Sequence, residues 1–269
     1  MFDSTRTPYD KLERCASEYR ITGVTKQFSS VWTRETRRPK ASGLTRDQIV
    51  TAALEILDAE GLAALSMRKL GSRLDAGATS LYWYVTNKDE LLELVLDEVW
   101  GMLDSAEPGQ APWREVITTF AYSFRETLRA HPWAASLVGQ LPSIGPNALR
   151  LTDRLRRAFI EAGFTGTDIY LASGSVISFV LGQVIPELAW TNAFGDTEPD
   201  RDTMIDSVVE LAADYPEMIE EFRTTTNITP AAARAMAFDF GLCCVLDGLH
   251  ARLRQRDRPH GSPTESVLP

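Results

Sequence analysis

The chain has 269 residues, 44% of them hydrophobic and 24% charged, which excludes a disordered protein and suffices for one large domain or two unequal ones. Its formal charge of −9 at pH 7 argues, taken whole, against a nucleic-acid partner. Cys15, Cys243 and Cys244 have no CxxC spacing, and the start MFDSTRTPYDKLERC holds no apolar leader, so a reducing, cytoplasmic setting is expected.

The charge is unevenly divided along the chain. Lys and Arg stand 9 against 5 Asp and Glu over residues 1–43, 5 against 5 over 44–88, and 14 against 27 over 89–269. Only the front of the chain suits phosphates. Residues 1–43 lack a sustained period and carry the basic run TRETRRPK (Arg34, Arg37, Arg38, Lys40), so they read as a flexible basic extension, either a DNA-reaching arm or a solvated linker. From Thr45 the apolar residues Ile49, Ala52, Ala53, Ile56 and Leu57 mark one helical face, with Thr45 as N-cap and Gly61 as stop. Ser66 caps a second helix with Met67, Leu70 and Leu74 inward. The turn LDAGA follows, where Gly77 is expected to take the left-handed backbone. A short third helix covers about 79–85, and a long one opens at Asn87 with Glu90 in a capping-box-like pattern.

Beyond it only helices are predicted, over about 112–130, 133–140, 146–162, 168–190, 203–223 in short pieces, and 230–256, with a frayed tail at 257–269. Residues 169–186 run 18 positions without a charge. Their serines, Gln183 and glycines predict a buried helix rather than a membrane span. The fold class is all-α, with a three-helix unit at 44–92 and a larger helical domain at 93–256.

Two short helices joined by a glycine-containing turn form a helix-turn-helix, whose second member enters the major groove. With Leu81 at zero on that helix, Val85 falls at about 40° and Tyr84 at about −60°, while Tyr82 falls at about 100° and Trp83 at about 200°. Tyr82 and Trp83 therefore face outward with Ala78, Thr79 and Ser80. On DNA they bring polar donors to phosphates and apolar area to thymine methyls. Arg68 can fork onto guanine or phosphate, and Lys88 can grip phosphate at the mouth of the next helix.

SMRKL, the glycine turn, SLYWYV and NKDELL occur in register within residues 44–99, and this stretch resembles the DNA-binding domain of the TetR family of bacterial transcriptional repressors. The resemblance implies base or phosphate contacts from Arg68, Ala78, Thr79, Ser80, Tyr82, Trp83, Tyr84 and Lys88. At Tyr84 the tetracycline-repressor subgroup has His. SFRETLRAHP (residues 123–132) is similar to that subgroup's ligand helix, and FDFGLCCVLDGLHARL (238–253) to its final dimer helix. The resemblance thus implies a homodimer joined through the helices at 168–190 and 230–256. The small stripes Gly174, Ser178, Gly182 and Gly241, Cys244, Gly248 fit close helix approach, between subunits or within one. Where the subgroup has a magnesium-chelating His, this chain has Leu137, so no metal or other cofactor is expected. The remaining inventory is Phe120, Phe124, Trp133, Leu137, Phe179 and Trp190 with Gln140, Gln183 and Glu187, suited to a bulky, largely apolar effector or to plain core packing.

No GxSxG, HExxH, CxxC or phosphate-cradling loop occurs, and His131, His250 and His260 are far apart, so catalysis is not expected. Cys243 and Cys244 read as small core residues. The expected function is a repressor that binds a palindromic operator as a homodimer and is released by a small-molecule effector, without membrane involvement. The alternative is a helical dimeric module that binds a ligand or protein and recognises no operator.

Overall fold

The structure, a computed structural model, describes residues 30–33, 44–195, 201–225 and 228–256. The basic run at 34–40 and the tail at 257–269 lie outside the described residues. Helices follow in the order α1 (Arg46–Glu60), a 3₁₀ turn (Leu62–Ala64), α2 (Met67–Arg73), α3 (Ala78–Leu81), α4 (Lys88–Gly101), α5 (Trp113–Ala130), α6 (Pro132–Ala135), α7 (Pro146–Glu161), α8 (Thr167–Phe194), α9 (Arg201–Leu211), α10 (Pro216–Thr225) and α11 (Pro230–Arg256). Among the described residues there is no strand.

Local chemistry sets most of these boundaries. Thr45 and Gln48 close a full capping box on α1, and Gly61 ends it at φ 78° with its N–H on the Leu57 carbonyl. Ser66 Oγ accepts from Lys69 N at 3.2 Å to start α2. The turn after α2 departs from expectation: Asp75, not Gly77, takes the left-handed backbone, at φ 48°, while Gly77 is extended. Asp tolerates that region because its short polar side chain can hydrogen-bond locally. At α4, Asn87 Oδ1 accepts from Glu90 N at 2.9 Å, but Glu90 caps Thr86 N, at 2.6 Å, rather than Asn87.

The core is one connected cluster running from Ile49 and Leu81 through Val95 and Phe120 to Phe238 and Leu246. Helix α4 crosses the expected domain boundary at 92 without a break, packing on α1 at one end and on α7 along its length. It carries three buried carboxylates, each bound to a different segment. Glu90 holds Thr86 N; Glu93 accepts from Ser30 Oγ and Val31 N; Asp97 accepts from Asn147 N at 3.2 Å and Ala148 N at 2.9 Å, at the start of α7.

Helix α8 is not the buried helix its sequence predicts. It is long and apolar enough by composition to cross a membrane, yet only 28% of its most apolar window is buried. The core covers one face through Ala172, Val176, Val180 and Val184, and leaves Tyr170, Leu171 and Ile185 outside. Helix α11 packs beside it with Met236 and Phe240 also exposed. Cys243 and Cys244, expected in the core, lie free on that outer surface. The two small stripes separate as well. Gly174, Gly182 and Gly248 face open space, whereas a Cβ on Gly241 would stand 2.5 Å from Phe179 Cε2, so Gly241 serves packing between α11 and α8 of one chain.

Candidate functional site

The helix-turn-helix is fixed from beneath. Leu70, Leu81 and Val85 have no exposure at all. The Tyr84 hydroxyl donates to the Leu44 carbonyl, tying the recognition segment to the residues just before α1. Helical turns continue past α3, with Tyr84 N on Leu81 O at 2.9 Å and Val85 N on the same oxygen at 3.1 Å. That path turns Tyr82 and Trp83 outward, each 48% exposed. The side chains of Ala78 and Thr79 lie outside the described residues, and Ser80 is half-buried.

The cations around this face differ in what they hold. Lys69 and Arg73 pair with Glu60 and Glu55 of α1. Arg68 is exposed and has no ion pair among the described residues. Lys88 Nζ donates to the Leu62 carbonyl at 2.9 Å, which fastens α4 to the 3₁₀ turn with one of its three hydrogens.

The residues expected to line an effector site fall into three groups. Phe120 borders a cavity of about 140 Å³ with Trp100 of α4, Val138, Leu151, Leu155 and Ile177. The Trp100 indole N–H is buried with no acceptor among the described residues. Gln183, Glu187 and Trp190 border a separate cavity of about 390 Å³ at the α8–α11 contact. Phe179 packs on Phe238 at a ring distance of 5.3 Å. Phe124, Trp133 and Leu137 are core residues, and Gln140 faces solvent.

Trp133 has a further part that its sequence position did not reveal. Its indole N–H donates to Asp58 Oδ1 at 2.7 Å, and His131 Nδ1 lies 2.7 Å from the same oxygen. Asp58 belongs to α1, so this contact joins the helix-turn-helix unit to α6. Asp97 and Gly145 were likewise not legible in advance. A Cβ on Gly145 would overlap the Asp97 carboxylate at 2.3 Å, so the close approach of α4 to the start of α7 requires glycine there. Among the described residues no three His, Cys, Asp or Glu gather as a metal site.

Residues 49–95 match the family model for bacterial regulatory proteins of the tetR family, and residues 105–253 match that of the tetracyclin repressor-like C-terminal domain. The chain belongs to the TetR family. An HTH-type transcriptional regulator of Saccharopolyspora erythraea is 39% identical over 194 residues, covering 72% of this chain and 81% of its own. The HTH-type transcriptional repressor DrrR1 of Streptomyces coeruleorubidus is 32% identical over 235 residues, with 83% of each chain covered. The TetR family protein ActR of Streptomyces coelicolor, solved in complex with actinorhodin, superposes with a TM-score of 0.66 at 28% identity, over 78% of this chain and 98% of its own. As a TetR regulator, the chain uses its N-terminal helix-turn-helix to bind DNA and carries its second function in the C-terminal helices.

Proposed function

We propose that this TetR regulator is a cytoplasmic repressor, without catalytic activity, that binds a palindromic operator as a homodimer and releases it when a small effector occupies the C-terminal domain. The observation that carries the DNA reading is the pair Tyr82 and Trp83, held outward on a helix whose inner face is fully buried. Arg68, exposed and without an ion pair among the described residues, supplies the forked cation, and Ala78, Thr79 and Ser80 join it in the proposed base and phosphate contacts. Tyr84 and Lys88, each bonded to a backbone carbonyl, position that surface. Repression as the sign of control accords with the name of DrrR1.

The second copy covers the apolar face of α8 and α11. Helix α8 alone, with 28 residues, spans about 42 Å, and its exposed Tyr170, Leu171 and Ile185 lie alongside the open glycines Gly174 and Gly182. A two-fold protein also matches two half-sites one DNA turn apart.

Release runs through α4. Residues 44–92 and 93–256 act as two units sharing this helix, whose C-terminal Trp100 borders the 140 Å³ cavity and whose Asp97 clamps α7. An effector larger than that space pushes Trp100 or α7, and both displacements reach the helix-turn-helix through α4; the Asp58 contact with His131 and Trp133 adds a second link. A coupling of about 1–3 kcal/mol is the usual size of such an effect. The test is a gel shift with DNA upstream of the protein's own gene against scrambled duplex. The reading predicts saturable binding lost in Trp83→Ala and Arg68→Ala, and equal binding to both duplexes sinks it.

A further inference from the structure

The 390 Å³ cavity between α5, α8 and the start of α11 is at the lower end of the size range of small-molecule sites. Its chemistry differs from that of the space beside Trp100. Arg125, Glu187 and Arg234 line it with the apolar Pro186, Trp190 and Phe238.

Two of the three charges satisfy one another. Arg125 and Glu187 are 7% and 9% exposed, and Arg125 Nη2 and Nε reach Glu187 Oε2 at 3.1 and 3.2 Å. The Arg125 guanidinium also sits 4.7 Å from the centre of the Phe238 ring. Such a pair is neutral as a unit, and its fork geometry leaves Glu187 little left to offer. Arg129 approaches Glu187 Oε1 at 3.3 Å from the outer side but has Glu126 as its own partner at 2.9 Å.

Arg234 is the cation left over. Its Nε lies 4.0 Å from Glu187 Oε1, beyond hydrogen-bond reach, and is buried with no acceptor among the described residues. A buried donor on a charged group is costly while it stays unpaired. Among the described residues the lining therefore sets two arginines against one glutamate, an excess of one positive charge among aromatic and aliphatic walls.

We propose that this cavity binds a small cyclic organic acid, its carboxylate received by Arg234 and its ring lying against Trp190 and Phe238. One net positive charge matches a monocarboxylate; a phosphate dianion calls for more donors than the lining provides. Gln183, also at the wall, offers an amide for a second polar contact. This is a second site in the C-terminal domain, separate from the space beside Trp100, and it rests on the effector reading above for its regulatory meaning.

The test is titration calorimetry of the full-length chain with 2-naphthoate and with its neutral counterpart 2-naphthamide, on wild type, Arg234→Gln and Arg234→Lys, with helical content checked by circular dichroism and DNA retention measured in parallel. Wild type binds the acid about ten-fold or more tightly than the amide. Arg234→Gln abolishes that difference at unchanged helicity, and Arg234→Lys keeps part of it. Equal affinity for the two probes, binding of neither at millimolar concentration, or an Arg234→Gln variant that still prefers the acid overturns the proposal. So does a change of oligomeric state in Arg234→Gln, which makes the cavity part of the subunit contact. Acid binding that leaves operator retention unaltered upholds the site and removes the effector reading; failure of the ligand-free wild type to retain operator removes the repressor reading alone.

Discussion

Tyr82, Trp83 and Tyr84 are consecutive yet divide between two roles, because a helix turns each by about 100°. Tyr82 and Trp83 reach solvent while the Tyr84 hydroxyl is bound to Leu44 O. Two substitutions separate these roles. Trp83→Ala leaves thermal stability within about 0.5 kcal/mol, as for an exposed side chain, but weakens operator binding by about 1–3 kcal/mol at each of the two half-sites, read by fluorescence anisotropy. Tyr84→Phe keeps the ring and loses one hydrogen bond, so urea denaturation shows a loss of about 0.5–1.5 kcal/mol. A third residue reports on pH. The Tyr122 hydroxyl donates to Asp239 Oδ1 at 2.5 Å, and this bond to a carboxylate, with burial, pushes its pKa up to about 12. The folded pKa is above the unfolded one, so the stabilisation is intact below about pH 10 and is lost as pH rises through about 12. Tyr122→Phe removes that part of the alkaline dependence, measured as stability against pH; an unchanged alkaline limb contradicts the assignment.

At the scale of elements, α4 carries the argument. Its Glu90, Glu93 and Asp97 are buried and each accepts from a backbone N–H of another segment. Gly145→Ala forces a methyl into the Asp97 carboxylate, so it costs about 1–3 kcal/mol of stability and shifts α4 against α7. The expected signature is altered operator affinity with the DNA face intact, measured by denaturation and anisotropy together; wild-type values in both contradict the lever. The helices themselves were legible in the sequence, because capping at Thr45, Ser66 and Asn87 and the 3.6-residue period are local signals. Long-range contacts were not. Asp58, Asp97 and Glu93 look like ordinary surface acids until their partners, 50 or more residues away, are placed beside them. The effector inventory is only partly gathered at cavities, for a related reason: Phe120, Gln183, Glu187 and Trp190 border them, whereas Phe124, Trp133 and Leu137 are core residues, and composition does not separate the two. The left-handed turn was assigned to Gly77 by conformational freedom alone, whereas the chain places Asp75 there.

At the scale of the molecule, the −9 charge conceals a division of labour. The acidic C-terminal helices leave the helix-turn-helix end as the part suited to phosphates, and the exposed apolar face on α8 and α11 is where the proposed second copy would sit. Phe240, 74% exposed on α11, is a sensitive probe: Phe240→Glu places a charge in that contact and yields a monomer in light scattering, with operator affinity lowered about a hundred-fold or more because one recognition helix acts alone. The measurement that bears most directly on the whole account is footprinting of the wild-type chain on the DNA upstream of its own gene. The account predicts a two-fold symmetric footprint with half-sites one helical turn apart, about 34–36 Å, occupied by two chains and absent with Trp83→Ala. Protection that is uniform along the duplex, or unaffected by Trp83→Ala, contradicts it.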